Sequence, residues 1–470
     1  MSTVTASTVT VPAAVAKQQR SAPIIELQTP AESSNSITPP DDTGSGAPAT
    51  SSASDDVILI LFTASWMTLA ATFSSTSLFP AAPEIAAEFG TSTKVVNISN
   101  AGILLAMGFA SFIWGPVSTV LGRRHAYNLA VFIFLMFAIG AAVSKNFPTF
   151  VAMRTLAGFK ASFFMVTGQA MIADIFAPAT RGTAVGFFMS GTVCGPALGP
   201  CVGGIIAAMA GFGLLLALIY VPSAARSVSN DSAAEKQARS RFNPMRVLEL
   251  LIYPNVLLTD VACGLLSWTM YSLLTPPRTL INPRFHLTTP LVSGLFYLAP
   301  GAGFLIGTTL GGKWADITVK RNIIKRNGVR IAQDRLNSRI LAFFLLVPIA
   351  TAIYGWSLQF TVGGLAVPTV AIFFSGVGLM VAFSSLNTYS LAEVMPGKRT
   401  EVMAGKYFIQ YFCSAAGSAT VLPLINKIGV GPACSGLGIT GGALVLLTAK
   451  RGSSMQRWID QQRKTLGDRE

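Results

Sequence analysis

The sequence predicts an all-helical membrane protein in which two halves of six spans each enclose a central cavity, and three observations point there. Of 470 residues, 51% are hydrophobic and only 11% charged, with a mean hydropathy of +0.56; a soluble domain carries charge on about a quarter of its residues. Apolar runs of span length recur along the chain, and a helix needs roughly 20 apolar residues, rising about 1.5 Å each, to cross a hydrocarbon core of about 30 Å. Lys and Arg gather in alternate gaps between these runs, the pattern of cytoplasmic loops. A water-soluble globular protein is excluded, and with it a secreted enzyme or a nucleic-acid binder.

Residues 1–56 are rich in Ser, Thr, Ala and Pro, hold no apolar run long enough for a signal peptide, and are expected to form a disordered cytosolic tail. Spans one to four follow at Val57–Phe79, Ile98–Leu121, Tyr127–Ser144 and Phe147 to about Phe176, the fourth carrying Arg154 and Lys160. The 44-residue uncharged window Gly182–Ala225 is read as spans five and six, which closes the first half at 57–221. A polar cytosolic loop, 222–254, leads to span seven near Val256–Leu274 and span eight at Leu287–Gly312. After the basic loop Lys313–Arg339, the 53-residue window Ile340–Ala392 is split by Gln359, Gly363 and Gly364 into two spans. Tyr407–Ile425 and Ile428–Ala449 complete the second half, 255–449, before a cytosolic tail at 450–470.

Charge counting tests this topology. With the N-terminus inside, 26 of the 34 Lys and Arg fall in inside segments and 5 outside, and Arg154, Lys160 and Lys406 lie within spans. A single crossing over Gly182–Ala225 would place the loop Lys313–Arg339, with eight positive and two negative charges, outside; parity therefore favours two crossings. The net charge of +14 thus marks one membrane face and suits lipid headgroups rather than nucleic acid. Cys194, Cys201, Cys263, Cys413 and Cys434 lie in or beside apolar stretches without ligand spacing, so neither a metal site nor a cofactor is expected. His125 and His286 sit in different loops with no nucleophile or phosphate loop beside them, which argues against an enzyme.

The halves also repeat. Their first spans begin near Val57 and Val256, and Gly115-Pro-Val-Ser-Thr119 corresponds in position to Gly312-Lys-Trp-Ala-Asp316, 197 residues on. Two related halves around a midplane cavity are the architecture of many secondary transporters, in which one half rocks against the other.

Within span five, GTVCGPALGPCVGG sets Gly191, Gly195, Gly199 and Gly203 four residues apart, followed by Gly204, and Pro196 and Pro200 remove backbone donors between them. The stripe serves either close helix packing or a hinge, and spacing alone fits both. It resembles the antiporter signature of the major facilitator superfamily. Gly115-Pro-Val-Ser-Thr-Val-Leu-Gly122-Arg123-Arg124 is similar to that superfamily's motif between spans two and three, and Arg154-Thr-Leu-Ala-Gly158 to its fourth-span motif. PAAPEIAAEFG, NPMRVLELLIYPNVLL and SGLFYLAPGAGFLIG look like the twelve-span fungal drug:proton antiporters, and among them like exporters of polyketides or of organic acids such as itaconate. The resemblance implies a major facilitator fold and a monomeric, proton-driven exporter of the plasma membrane, with Arg154 in proton coupling and Gly115, Gly122, Arg123, Arg124 and Asp316 in gating.

Three departures stand out. Thr119 replaces the Asp of the first-half motif, which weakens one latch of the inner gate, whereas Asp316 keeps the second. The chain after Gly204 lacks the family's polar turn, so spans five and six look shortened, and an inactive or sensor-like homologue is one alternative. Lys160 has no family role to inherit. Counted from Pro148 at about 1.5 Å per residue, Arg154 lies about 9 Å into the membrane and Lys160 about 18 Å, about 120° apart around the helix.

Charges at such depth are costly and point to function. The Lys160 ammonium either draws an anionic substrate or packs against backbone carbonyls. No carboxylate is expected at mid-membrane: Asp174 and Glu393 sit at the inner ends of spans four and ten, and Asp260 near the inner start of span seven. Asn100, Gln169, Trp268, Tyr271, Asn387, Tyr407 and Gln410 either line the substrate path or bridge helices. The function expected is efflux of a small metabolite or xenobiotic in exchange for protons, with import of a small organic anion as the competing reading.

Overall fold

In the hydrocarbon core no water satisfies backbone amides, so a spanning segment must close its own hydrogen bonds, and every described element of the computed structural model is a helix. The described residues are 49–76, 82–121, 123–176, 180–202, 246–285, 295–327, 341–393 and 399–450. In the first half they form α1 (Ala49–Thr76), α2 (Ala82–Glu88), α3 (Thr93–Val120), α4 (Arg123–Ala142), α5 (Phe147–Ile175) and α6 (Arg181–Val202). The rest are α7 (Arg246–Leu251), α8 (Pro254–Leu274), α9 (Pro277–Phe285), α10 (Leu298–Lys325), α11 (Leu341–Phe360), α12 (Ala366–Glu393), α13 (Arg399–Ile428) and α14 (Val430–Lys450). Among the described residues, eleven helices have 20 residues or more, and seven carry an apolar stretch long enough to cross a membrane.

Local chemistry fixes several ends. Asn146 accepts the Thr149 amide at 3.0 Å and Pro148 sits in the first turn of α5, a start that satisfies one orphan donor and spares another. Between α11 and α12, Thr361, Gly363 and Gly364 all take positive φ. Glycine enters that region without steric penalty, so the long uncharged window breaks where the sequence indicated.

Three expected boundaries are corrected. Span eight is expected to end at Gly312, but α10 starts at Leu298 and continues to Lys325, so the first part of the basic loop is helical. Lys313, Lys320, Arg321 and Lys325 stand exposed on these turns; charge ends an apolar run, not a helix that has reached water. Likewise α13 begins at Arg399 rather than Tyr407, and α1 at Ala49 rather than Val57. The motif between spans two and three is not a loop throughout, since Gly115 lies within α3 and Arg123 opens α4. Helix α6 has 22 residues, about 33 Å of rise. Span six, Gly122, Gly203 and Gly204 fall outside the described residues.

The second half packs α10 on α12, α8 on α13 and α11 on α14; the first packs α3 and α4 on α5. The most extensive contacts between the halves are α3 with α13 and α6 with α10, with smaller ones of α5 on α13 and α6 on α12.

Candidate functional site: the polar seams between the halves

The α6–α10 seam is built from glycine. A Cβ on Gly186 would lie 2.7 Å from the Thr308 carbonyl oxygen, and one on Gly312 would strike the Gly182 backbone, so only bare backbone allows this approach. At the start of α6 the Gly182 amide donates to Asp316 Oδ1 at 3.0 Å, and the Thr183 amide and hydroxyl donate to Oδ2 at 2.7 and 2.8 Å. Asp316 is 5% exposed. Its carboxylate therefore meets the orphan amides and positive dipole end of a helix in the other half.

The glycine stripe farther along α6 faces elsewhere. A Cβ on Gly191 or Gly195 would strike Ser65 or Thr72 of α1, and the Ser65 hydroxyl donates to the Phe187 carbonyl at 3.3 Å. Both helices belong to the first half. Gly191 and Gly195 thus pack against α1, and the glycines at the seam between halves are Gly182 and Gly186. Gly199, Pro196 and Pro200 lie in the helix that carries them.

Deeper in, four helices meet at one polar layer. Lys406 of α13, with no exposed surface, donates to Gln169 Oε1 of α5 at 3.4 Å and to Asn387 Oδ1 of α12. Its ammonium lies 4.0 Å from the Tyr407 ring centroid. Gln169 Nε2 and Asn387 Nδ2 both point at Met189 Sδ of α6, at 3.2 and 3.6 Å. One ammonium thus ties the first half, through Gln169, to the second, through Asn387.

Asp260 of α8 is wholly buried and acts electrostatically on Lys406, yet neither of its oxygens has a hydrogen-bond partner. It lies six residues into its helix and Lys406 seven into its own, so each is about 10 Å from the N-terminal end of its helix. Sequence reasoning passed over both, counting Lys406 only as a charge within a span and setting Asp260 near a span's start. Equal depth on two neighbouring spans was the signal that could have found them.

Arg154 belongs to a different cluster. Its Nη1 donates to Asn100 Oδ1 at 3.2 Å, and Nη2 to the Ser74 and Ser75 carbonyls at 3.1 and 3.5 Å. Those carbonyls lie in the last described turn of α1. Lys160 stands apart from Arg154: its ammonium sits 3.8 Å from the Trp114 ring centroid and the residue is half-buried, while Trp114 Nε1 donates to the Phe159 carbonyl at 3.0 Å. The structure so pairs Arg154 with Asn100 and joins Gln169, Asn387 and Tyr407 around Lys406, leaving Lys160 on its own ring.

Of the remaining candidates, Tyr407 and Tyr411 stack at 5.9 Å, and the buried Tyr407 hydroxyl and Gln410 Oε1 have no hydrogen-bond partner. Trp268 is half-buried and Tyr271 buried. Ser267, Ser384, Ser385 and Thr167 add buried hydroxyls without partners on α8, α12 and α5. Unpartnered buried hydroxyls are rare in native proteins and call for an explanation; these lie on the helices that surround the Lys406 layer.

Long helices in two sets, joined along α3–α13 and α6–α10 and held by one buried ammonium, describe a multi-pass membrane protein of two facing halves. The model of the Major Facilitator Superfamily matches residues 64–420, and the chain belongs to that superfamily: it is an integral membrane transporter and not an enzyme. It is 28% identical over 392 residues to the MFS transporter eqxG of Fusarium heterosporum, across 81% of this chain and 79% of that one. To the MFS antiporter QDR3 of Candida albicans it is 21% identical over 553 residues, across 86% and 79%. The proton:xylose symporter XylE superposes with a TM-score of 0.64 at 15% identity, covering 85% of this chain and 95% of its own. The human organic anion transporter MFSD10 gives 0.63 at 15%, covering 84% and 98%; both share the fold.

Proposed function

We propose that this transporter exports a small anionic metabolite across the plasma membrane in exchange for protons, by alternating access between its two halves. The observation that carries the substrate class is charge inside the bundle. Among the described side chains well within the spans, Arg154, Lys160 and Lys406 are cations and Asp260 is the acid, so the interior favours a negative guest. Export and proton exchange rest on the span-five signature and on the likeness to a protein named as an antiporter. The roles of Arg154 in coupling and of Asp316, Gly115, Gly122, Arg123 and Arg124 in gating are part of the same proposal. The unpartnered hydroxyls of Tyr407, Ser267 and Ser384 and the Gln410 oxygen supply polar contacts for a carboxylate-bearing molecule.

Mass spectrometry of medium and cell extract tests this, comparing the parent strain, a strain lacking the gene and one re-expressing the 470-residue chain. An acid that leaves the medium and builds up in the mutant cells, and returns on re-expression, identifies the substrate. An acid that remains in the medium and disappears from the cells makes the protein an importer. A shift that re-expression fails to reverse makes this chain inactive.

A further inference from the structure

Lys406 is held in a way that a rocking motion must disturb. Gln169 belongs to the first half and Asn387 to the second, so separation of the halves on this side removes Gln169 and leaves the ammonium one partner short. Asp260 lies on α8, the helix packed on the one that carries Lys406, and the two interact electrostatically. Helices α8 and α13 are in tight contact, since a Cβ on Gly264 would lie 2.9 Å from Cys413 Sγ and 3.0 Å from Ile409. Lys406 acts on Asp260 and on Cys263, which is one turn farther along α8.

Asp260 itself has no donor to either oxygen, and an isolated buried carboxylate is among the costliest groups a membrane protein can hold. Two changes relieve the cost: uptake of a proton, or arrival of a cation.

We propose that Asp260 binds the coupling proton of this transporter, and that Lys406 exchanges the Gln169–Asn387 pair for Asp260 as the seam between the halves opens. With the seam shut, as in this structure, Asp260 carries the proton as a neutral carboxylic acid and the ammonium spans Gln169 and Asn387. When the seam parts, Lys406 loses Gln169, swings to Asp260 and forms the ion pair, and the carboxyl proton leaves to water on the opened side. Proton binding and seam closure therefore favour each other, which is the linkage an antiporter needs.

The groups that bear on Asp260 come from its own helix and the helices packed on it. On α8 itself Cys263 lies one turn away, α13 brings Lys406, and α7, which also touches α8, brings the exposed Glu249. Lys406 is the charge among the described residues that acts on it.

The inference rests on the proton-coupled reading, and one measurement separates their failures. The full chain is reconstituted in phosphatidylcholine vesicles adsorbed on a capacitive membrane, and the charge displaced by a step in proton concentration alone is recorded for the parent, Asp260→Asn, Asp260→Glu and Lys406→Gln. The parent and Asp260→Glu are expected to give a saturable displacement, and Asp260→Asn one at least about tenfold smaller. Lys406→Gln is expected to keep it while moving its half-maximal pH by about one unit or more, as loss of a neighbouring charge does.

Parental displacement in Asp260→Asn overturns the proton site and leaves proton coupling standing. No displacement in the parent overturns both. Should Asp260→Asn not elute as a folded, monodisperse protein, Lys406→Gln decides, and an unmoved half-maximal pH then overturns the proposal.

Discussion

Asp316 of α10 accepts the Thr183 amide and hydroxyl of α6 on one carboxylate oxygen, at 2.7 and 2.8 Å, so a single acid of the second half caps a helix of the first. The repeat-related position in the first half holds Thr119, which carries no charge. The two repeat-related positions are therefore unequal, and in the proposed gating the Asp316 cap is the charged latch.

Asp316→Ala is expected to loosen that latch. Hydrogen bonds to a charged group contribute about 1.5–3 kcal/mol each, and every 1.4 kcal/mol is about tenfold in a two-state equilibrium. A cysteine at Thr308, whose side chain is 1% exposed beneath Gly186, should react with N-ethylmaleimide at least about tenfold faster in Asp316→Ala than in the parent. Equal rates would mean that the seam closes without the cap.

The two glycine faces of α6 predict opposite phenotypes. A side chain at Gly186 meets the Thr308 backbone across the seam between the halves, so Gly186→Val should fold, elute as the parent does, and lose transport at least about tenfold. A side chain at Gly191 meets Ser65 within one half, where overpacking costs about 1–3 kcal/mol. Gly191→Val should therefore lower the thermal midpoint in detergent by several degrees. Matching profiles for the two variants would show that both faces are static.

Much of this arrangement could be read in the chain before any fold was seen. The places of the described long helices were legible because the bilayer imposes length and apolarity on each crossing, and the break at Gly363 and Gly364 because turn chemistry is local. The reach of α10 to Lys325 was not, since hydropathy reports where the membrane stops rather than where a helix does. The Lys406 layer was hidden for another reason: its partners Gln169 and Asn387 lie 237 and 19 residues away, and whether they meet depends on the rotation of three helices, which no single span encodes. Residue type alone identified Gln169 and Asn387 as candidates; it could not say that they would share one ammonium.

Arg154 closes the end of α1 through Ser74 and Ser75 while holding Asn100, and a lysine offers no fork to reach them together. Arg154→Lys and Arg154→Gln are both expected to lower the thermal midpoint, by a loss of about 1.5–3 kcal/mol for Arg154→Gln, with lysine restoring less than half. Transport measured on the same samples separates anchoring from coupling. A variant that keeps its thermal midpoint but loses transport would assign Arg154 to the proton path instead.

Lys160 offers the last test, and its geometry sets the terms. The ammonium rests 3.8 Å from the Trp114 ring centroid on a half-buried side chain, a contact worth about 0.5–2 kcal/mol. A carboxylate that reached the same ammonium would gain about 1.5–3 kcal/mol from a charge-assisted hydrogen bond, enough to draw it off the ring. Lys160→Met keeps an unbranched apolar stem against Trp114 and removes the ammonium. Uptake into inside-out vesicles is then compared for the exported acid, once identified, and for its neutral methyl ester. The acid should show a KM raised about tenfold, and the ester a KM within about twofold of the parent. If acid and ester decline together, Lys160 acts by packing on Trp114, and the positive interior that favours an anion reduces to Arg154 and Lys406.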